Sequence, residues 1–323
     1  MKVCPTGAVE LLVKKYSKKP ELLASGHRLC AGCAEPIIIR QILHATEDPV
    51  VISNATGCTE VATTIYPYTS WKVSWIHTAF ENAAATISGV EACYRVLKKK
   101  GKLKNGKINF LAFGGDGGTY DIGLQSLSGA VERGHDFLYV CLNNEAYMNT
   151  GIQRSSATLR GASTTTSPSG LIIPGKKEFP KNLTEIMVAH KIPYVAQSSP
   201  GFYNDLIAKA SRAFTINGPK FLNAISPCPR GWRFPSEKTI KISKLAVETC
   251  LWPLYEVKFG KYKLTSFSKL IAEGKKEKIP IIDYLGTQGR FKHLFNNKFR
   301  GVISEIQEYV DRNWGELLKK CGY

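Results

Sequence analysis

A chain of 323 residues with 43% hydrophobic side chains is long enough for one large α/β domain with appendages and apolar enough to bury a core, which excludes wholesale disorder. No apolar run reaches bilayer length and none follows a basic start, so a cytoplasmic protein with no membrane partner is expected. Lys and Arg number 44 against 26 Asp and Glu, a formal charge of +18 that points to something acidic, yet the lysines sit in separate turns, as in "LKKKGKLKNGK" (97–107) and "EGKKEKIP" (273–280), without the aromatics that nucleic-acid binding interleaves. Solvated loops explain most of them, with an acidic protein partner second and no nucleic acid expected.

Short β-branched runs alternate with longer amphipathic ones, the pattern of a mostly parallel sheet with helices on both faces. After an N-terminal extension (1–25), strands are predicted at "PVVISN" (49–54), "KINFLAFGG" (107–115), "DFLYVCLNN" (136–144), "IPYVAQS" (192–198) and "PKFLNAISP" (219–227). Helices are predicted at 78–101, 123–134 and 203–214, the first closed by lysines and glycine. The core domain is thus expected over 26–235. Within it, residues 150–179 form a Ser-, Thr- and Gly-rich stretch without a period, and a loop that long inside a domain is usually functional or disordered; because it starts at a probable site, a functional loop is the reading. Residues 236–323 are basic and aromatic and read as a C-terminal arm that packs on a neighbour.

In "FLAFGGDGGTYDIG", Asp116 stands among Gly115, Gly117 and Gly118 between a strand and a helix. Glycines let the backbone approach a bulky anion, and a helix start offers free N–H groups to phosphate. A carboxylate meets phosphate only through a cation, and magnesium, which keeps few protein oxygens, suits the arrangement. Asn143 and Asn144 in "CLNNEAYMNTG" supply oxygens from the next strand end, and in an open parallel sheet both motifs share one ligand-binding edge.

Nine cysteines, an odd number without a secretory signal, make a disulfide framework improbable. Cys30 and Cys33 form the CxxC of "GHRLCAGCAE" with no second close pair to complete a zinc site. Four-iron clusters accept dispersed thiolates, and Cys58 in "VVISNATGC" and Cys228 in "FLNAISPCP" fall at the edge that carries Asp116. Cys93 and Cys141 read as buried inert thiols, Cys250 and Cys321 as isolated ones. Cys4 echoes a ferredoxin motif whose other members are missing, and His27 and His77 read as structural hydrogen-bonding residues.

The GDG followed by NN resembles the diphosphate-binding motif of thiamine-diphosphate enzymes. With "CAGCAE", "NATGC", "WIHTAFENAAA", "NNEAYMNTG" and "SPCPRGW" added, nearly the whole chain resembles the thiamine-binding beta subunit of pyruvate:ferredoxin and related 2-oxoacid:ferredoxin oxidoreductases. The resemblance implies the diphosphate-binding domain of the thiamine-diphosphate fold. It implies magnesium on Asp116, the side chain of Asn144 and the carbonyl of Ala146, and a 4Fe-4S cluster on Cys30, Cys33, Cys58 and Cys228. It places Asn149 within reach of the thiamine or the substrate and Glu35 close to the thiamine. It further implies oxidative decarboxylation of a 2-oxoacid, pyruvate first and a branched 2-oxoacid or oxalate as alternatives, with coenzyme A as acyl acceptor and ferredoxin as electron acceptor. An alpha subunit would complete the thiamine site and a ferredoxin-like subunit would carry further clusters. A thiamine-dependent lyase without redox chemistry, and a basic zinc-stabilised nucleic-acid binder that leaves GDG and NN unexplained, are the alternatives.

Overall fold

A computed structural model of the chain describes residues 16, 18–103 and 106–323; the expectation for Cys4 lies outside them. One eight-stranded sheet organises these residues, in the order β2-β1-β3-β4-β6-β5-β7-β8. The first six positions are β1 (Val50–Ala55), β2 (Ser74–Thr78), β3 (Asn109–Gly115), β4 (Leu138–Asn143), β5 (Tyr194–Ser198) and β6 (Lys220–Ile225), all paired in parallel. β4, β5 and β6 are buried along their whole length, as strands covered on both faces must be, and their Val-, Leu- and Ile-rich runs follow from that. β7 (Tyr255–Lys258) and β8 (Lys261–Leu264) extend the sheet antiparallel beyond β5.

Helices cover the two faces. One core cluster gathers Ile87, Leu127, Met187, Ile242 and Trp314, and the other gathers Ile38, Ile39, Leu206 and Phe214 against the opposite sides of the same strands. α1 (Glu35–Leu43) starts on a glutamate and a proline, both favoured in a first turn, and buries its Ile38, Ile39 and Ile42 stripe. α2 (Cys58–Thr63), α3 (Ala83–Lys99), α4 (Leu124–Glu132), α5 (Leu183–Ala189) and α6 (Tyr203–Thr215) follow their strands. α3 begins later than the 78–101 run predicts, because Thr78 closes the edge strand β2 and the chain turns before Ala83.

The chain runs from β1 to β2 on one side and returns to β3 on the other. Strand order therefore reverses at β1 and β3, and a crevice opens there at the carboxyl ends.

Residues 236–323 do not stand apart as an arm. They form α8 (Thr239–Glu248), β7 and β8, α9 (Ser266–Ala272), α10 (Ile281–Gly286) and α11 (Arg300–Cys321), after the short α7 (Pro229–Trp232). Ile242, Val257, Tyr284, Phe291, Ile306 and Trp314 belong to the same core cluster as β4 and α4. This segment buries its apolar residues against the chain's own sheet, which leaves its outer faces for a neighbour. Among the described residues, no helix is long and apolar enough to cross a membrane.

Candidate active site at the carboxyl edge of the sheet

Asp116 follows β3 and starts the π-helical turn Gly117–Ile122, with no exposed surface. Its Oδ1 accepts the backbone N–H of Asn144 at 3.1 Å and its Oδ2 the hydroxyl of Ser155 at 2.5 Å. Burial pushes the carboxyl up to about 8, against the pull of the Ser155 hydrogen bond. No cationic side chain pairs with this carboxylate among the described residues. The glycines beside it are sterically required: a Cβ on Gly117 would stand 2.5 Å from the Tyr147 ring, and one on Gly118 would stand 2.8 Å from the Phe80 carbonyl oxygen.

β4 ends at Asn143, and the chain turns sharply through Glu145, whose φ is 59°. That left-handed backbone is unusual for a glutamate and is held from several directions. Asn143 Oδ1 accepts from Glu145 N at 3.0 Å, Thr158 donates its hydroxyl to the Glu145 carbonyl at 2.7 Å, and Trp232 donates its indole N–H to the Asn144 carbonyl at 2.7 Å. Asn144 then points its amide nitrogen at Glu35 Oε1, 3.0 Å away, while Thr59 donates to Glu35 Oε2 at 2.5 Å. The amide oxygen of Asn144 is left buried without a hydrogen-bond partner. Burial raises the Glu35 carboxyl, opposed by these two hydrogen bonds.

The four cysteines arrive from three places. Cys30 and Cys33 close a turn, Cys33 N donating to the Cys30 carbonyl at 3.0 Å. Gly32 takes φ 75°, and a Cβ there would stand 2.4 Å from the Ser236 carbonyl, so this position asks for glycine twice over. Thr239 donates its hydroxyl to the Gly32 carbonyl at 2.5 Å, which makes the C-terminal segment the buttress of the CxxC turn. Cys58 is the first residue of α2 and Cys228 caps α7, its sulfur accepting Gly231 N–H at 3.4 Å. Burial pushes the thiols of Cys33, Cys58 and Cys228 up, and the nearby Glu35 and the other cysteines push the same way.

All four line one cavity of ≈ 220 Å³. Around the β1–β3 crevice lies a second cleft, lined by Gly115, Gly117, Gly118, Asn144, Ala146 and Asn149 among others. Glu35, Cys58, Asn144, Met148 and Asn149 line both, forming the partition between them. Three buried polar atoms without partners face these cavities, the side-chain oxygens of Asn54 and Asn144 on the cleft and of Ser226 on the cysteine cavity. A buried polar atom of this kind is completed by a water, an ion or a ligand. Among the described residues, no three His, Cys, Asp or Glu side chains converge on one point as ligands of a single ion.

The 150–179 loop brings Ser155 and Thr158 to the site, which its lack of period gave no means of locating; Trp232 is likewise found only through folding. Cys93, expected to be buried, is exposed on α3, whereas Cys141 and Cys250 are buried in the core. His77 makes the expected hydrogen bond, Nε2 lying 2.8 Å from the Thr56 hydroxyl. His27 Nδ1 is buried without one.

Residues 55–224 match the family described as thiamine pyrophosphate enzyme, C-terminal TPP binding domain. Pyruvate synthase subunit PorB of Thermotoga maritima is 49% identical over 96% of this chain and 95% of its own. The PorB of Methanocaldococcus jannaschii is 50% identical over 93% and 97%, and ketoisovalerate oxidoreductase subunit VorB of Pyrococcus abyssi 42% identical over 92% of each. A solved 2-oxoglutarate:ferredoxin oxidoreductase from Magnetococcus marinus shares the fold, with a TM-score of 0.51 at 19% identity over 67% of this chain and 76% of that one. The chain therefore belongs to the thiamine pyrophosphate enzymes and, within them, to the PorB family of 2-oxoacid:ferredoxin oxidoreductase beta subunits.

Proposed function

We propose that this chain is the beta subunit of a pyruvate:ferredoxin oxidoreductase and holds both the diphosphate end of thiamine diphosphate and a neighbouring 4Fe-4S cluster. The observation that carries the reading is the partition of Glu35, Cys58, Asn144, Met148 and Asn149 shared by the glycine-lined cleft and the four-cysteine cavity. Magnesium on Asp116, Asn144 Oδ1 and the Ala146 carbonyl would compensate the buried carboxylate and occupy the one free oxygen of Asn144. Backbone N–H groups at Gly115, Gly117 and Gly118 would meet the diphosphate. Cys30, Cys33, Cys58 and Cys228, which all line the one cavity, would be the thiolate ligands of the 4Fe-4S cluster.

When bound, thiamine diphosphate would supply the nucleophilic carbon and the electron sink for decarboxylation of a 2-oxoacid, and the cluster would supply one-electron acceptance. The chain's own residues bind and orient. Glu35 fixes the amide of Asn144 so that its oxygen is the free end, Ser155 and the Asn144 N–H hold the Asp116 carboxylate, and Asn149 stands at the partition near Cys58. The organic part of the cofactor would extend from the glycine-lined cleft toward a second, alpha-type subunit, which would complete the thiamine site. Pyruvate is favoured because the PorB relatives stand at 49% and 50% identity and VorB at 42%. Coenzyme A as acyl acceptor and an acidic ferredoxin docked on basic loops complete the reading, in an enzyme that works in the cytoplasm.

The test is the anaerobically purified complex, assayed for iron, sulfide and thiamine diphosphate and then against a panel of 2-oxoacids with and without coenzyme A. Asp116→Ala is expected to abolish thiamine diphosphate retention and to spare the iron. Retention at wild-type affinity refutes the ligand assignment, and a complex free of iron refutes the redox reading.

A further inference from the structure

Besides Thr239, the C-terminal segment brings Arg290 to the site. Arg290 lies in the short helical stretch Gly289–Phe295 and is 2% exposed. Its Nη1 stands 2.8 Å from Oε2 of Glu145, itself 5% exposed. The contact is ionic rather than an aligned hydrogen bond, since Oε2 has no hydrogen-bond partner. The guanidinium lies 3.9 Å over the Trp232 ring, Nε donates to Gln288 Oε1 at 2.9 Å, and the Arg290 carbonyl accepts Ser163 N–H at 3.0 Å.

A buried ion pair is a weak source of stability, because desolvation offsets most of its attraction. This pair occupies a particular place. Glu145 is the residue between Asn144 and Ala146 and carries the left-handed backbone of that turn. Trp232 closes the short helix that Cys228 caps, and its indole N–H is bonded to the Asn144 carbonyl. One planar cation thus touches both turns, its face on the indole and its edge on the carboxylate. A lysine, a point charge on a flexible stem, does only the second.

We infer that Arg290 is a positioning residue that locks the Asn144–Ala146 turn and the Cys228–Trp232 turn together, so that the cation site and the cysteine cavity keep one fixed spacing. The inference rests on the ligand reading proposed above. It gives the C-terminal segment a second role at the site beside its support of the CxxC turn.

The test uses the assembled complex with Arg290→Gln, Arg290→Lys and the double variant Glu145→Gln/Arg290→Gln, which strands no buried charge. Three quantities are read: the Mg²⁺ concentration that half-saturates thiamine diphosphate binding, the electron paramagnetic resonance spectrum of the reduced cluster, and the thermal midpoint. Residues that orient metal ligands typically change metal affinity by about 10–100-fold, and a rise of that size in half-saturating Mg²⁺ is expected for Arg290→Gln. The double variant should keep the wild-type midpoint yet show the Mg²⁺ defect and an altered spectrum, and Arg290→Lys should recover part of the affinity. A double variant with wild-type Mg²⁺ dependence and spectrum overturns the inference while leaving the ligand reading intact. If neither glutamine variant assembles, the lysine variant decides by the same criterion. A wild-type complex whose thiamine diphosphate binding ignores Mg²⁺ overturns the ligand reading and this inference with it.

Discussion

Lys176 offers the sharpest test of how the 150–179 loop is held. It is 1% exposed, and its ammonium donates to the Thr158 carbonyl at 2.6 Å and less closely to that of Ser156 at 3.4 Å, with no carboxylate in contact. Burial first, and Arg154 second, lower it from 10.5 to about 8. Below that value both folded and unfolded chains carry the proton, and the fold bears the full cost of the buried charge. Between about 8 and 10.5 the native state sheds the proton before the unfolded state does, so stability rises with pH in that window. At about 1.4 kcal/mol for each tenfold change in proton affinity, the gain from about pH 7.5 to about pH 10 is ~2.5 kcal/mol. With an unfolding entropy of about 2.1 cal/mol/K per residue, this corresponds to about 3–4 °C in Tm for a chain of 323 residues. Lys176→Met removes the titration. It also strands two carbonyls at about 1–3 kcal/mol each at most, a cost that does not vary with pH. Tyrosines and cysteines titrate in the same range, so the decisive quantity is the wild-type minus Lys176→Met difference in midpoint, measured across the window on the purified complex. That difference should move in favour of wild type by about 3 °C. A constant difference, or one that moves the other way, refutes the account of a buried ammonium.

Gly118→Ala drives a Cβ to 2.8 Å from the Phe80 carbonyl oxygen; overpacking of this kind costs about 1–3 kcal/mol, and both midpoint and thiamine diphosphate retention should fall, whereas unchanged values would mean that the loop yields freely. Cys33→Ala and Cys58→Ala should each lose most of the iron, while Cys93→Ala, on an exposed helix face, should retain it; equal iron in all three ends the ligand assignment. Trp232→Phe leaves the Asn144 carbonyl without its 2.7 Å donor, a loss of about 1–3 kcal/mol to be read as a lower midpoint and a higher half-saturating Mg²⁺ for thiamine diphosphate binding. Chelation of Mg²⁺ should release thiamine diphosphate and leave the iron in place, measured on the same sample by cofactor and metal analysis.

The parallel strands were legible because burial on both faces demands unbroken runs such as "FLYVCL", and the glycines around Asp116 because close backbone approach leaves no alternative residue. Placing Cys58 and Cys228 at one edge needed only the rule that parallel strands carry their sites at the carboxyl ends. Other features carry no local mark. β2 is an exposed edge whose "SWIHT" does not alternate cleanly, and β7 and β8 pair through short polar-rich stretches, so their place in the sheet is decided by what they pack against. Thr158, Trp232 and Arg290 act on the 143–146 turn, and Ser155 on Asp116, from other parts of the chain. Pairings of that kind depend on tertiary geometry, which periodicity and spacing do not encode.

Asn144 ties the two halves of the site into one physical problem. Its N–H holds Asp116, its amide nitrogen holds Glu35 beside the cysteine cavity, and its carbonyl is bonded to the indole that follows Cys228. Three of its four polar groups are thus committed to fixing neighbours, and only Oδ1 is left over, buried and unpaired. A ligand that completes such a residue binds the folded chain and not the unfolded one, and at one hundred times its Kd adds about 2.7 kcal/mol to stability. Because the groups that would feel the cation are bonded to the groups that line the cysteine cavity, filling either side constrains the other. The shared partition of Glu35, Cys58, Asn144, Met148 and Asn149 is what joins the glycine-lined cleft to the four-cysteine cavity.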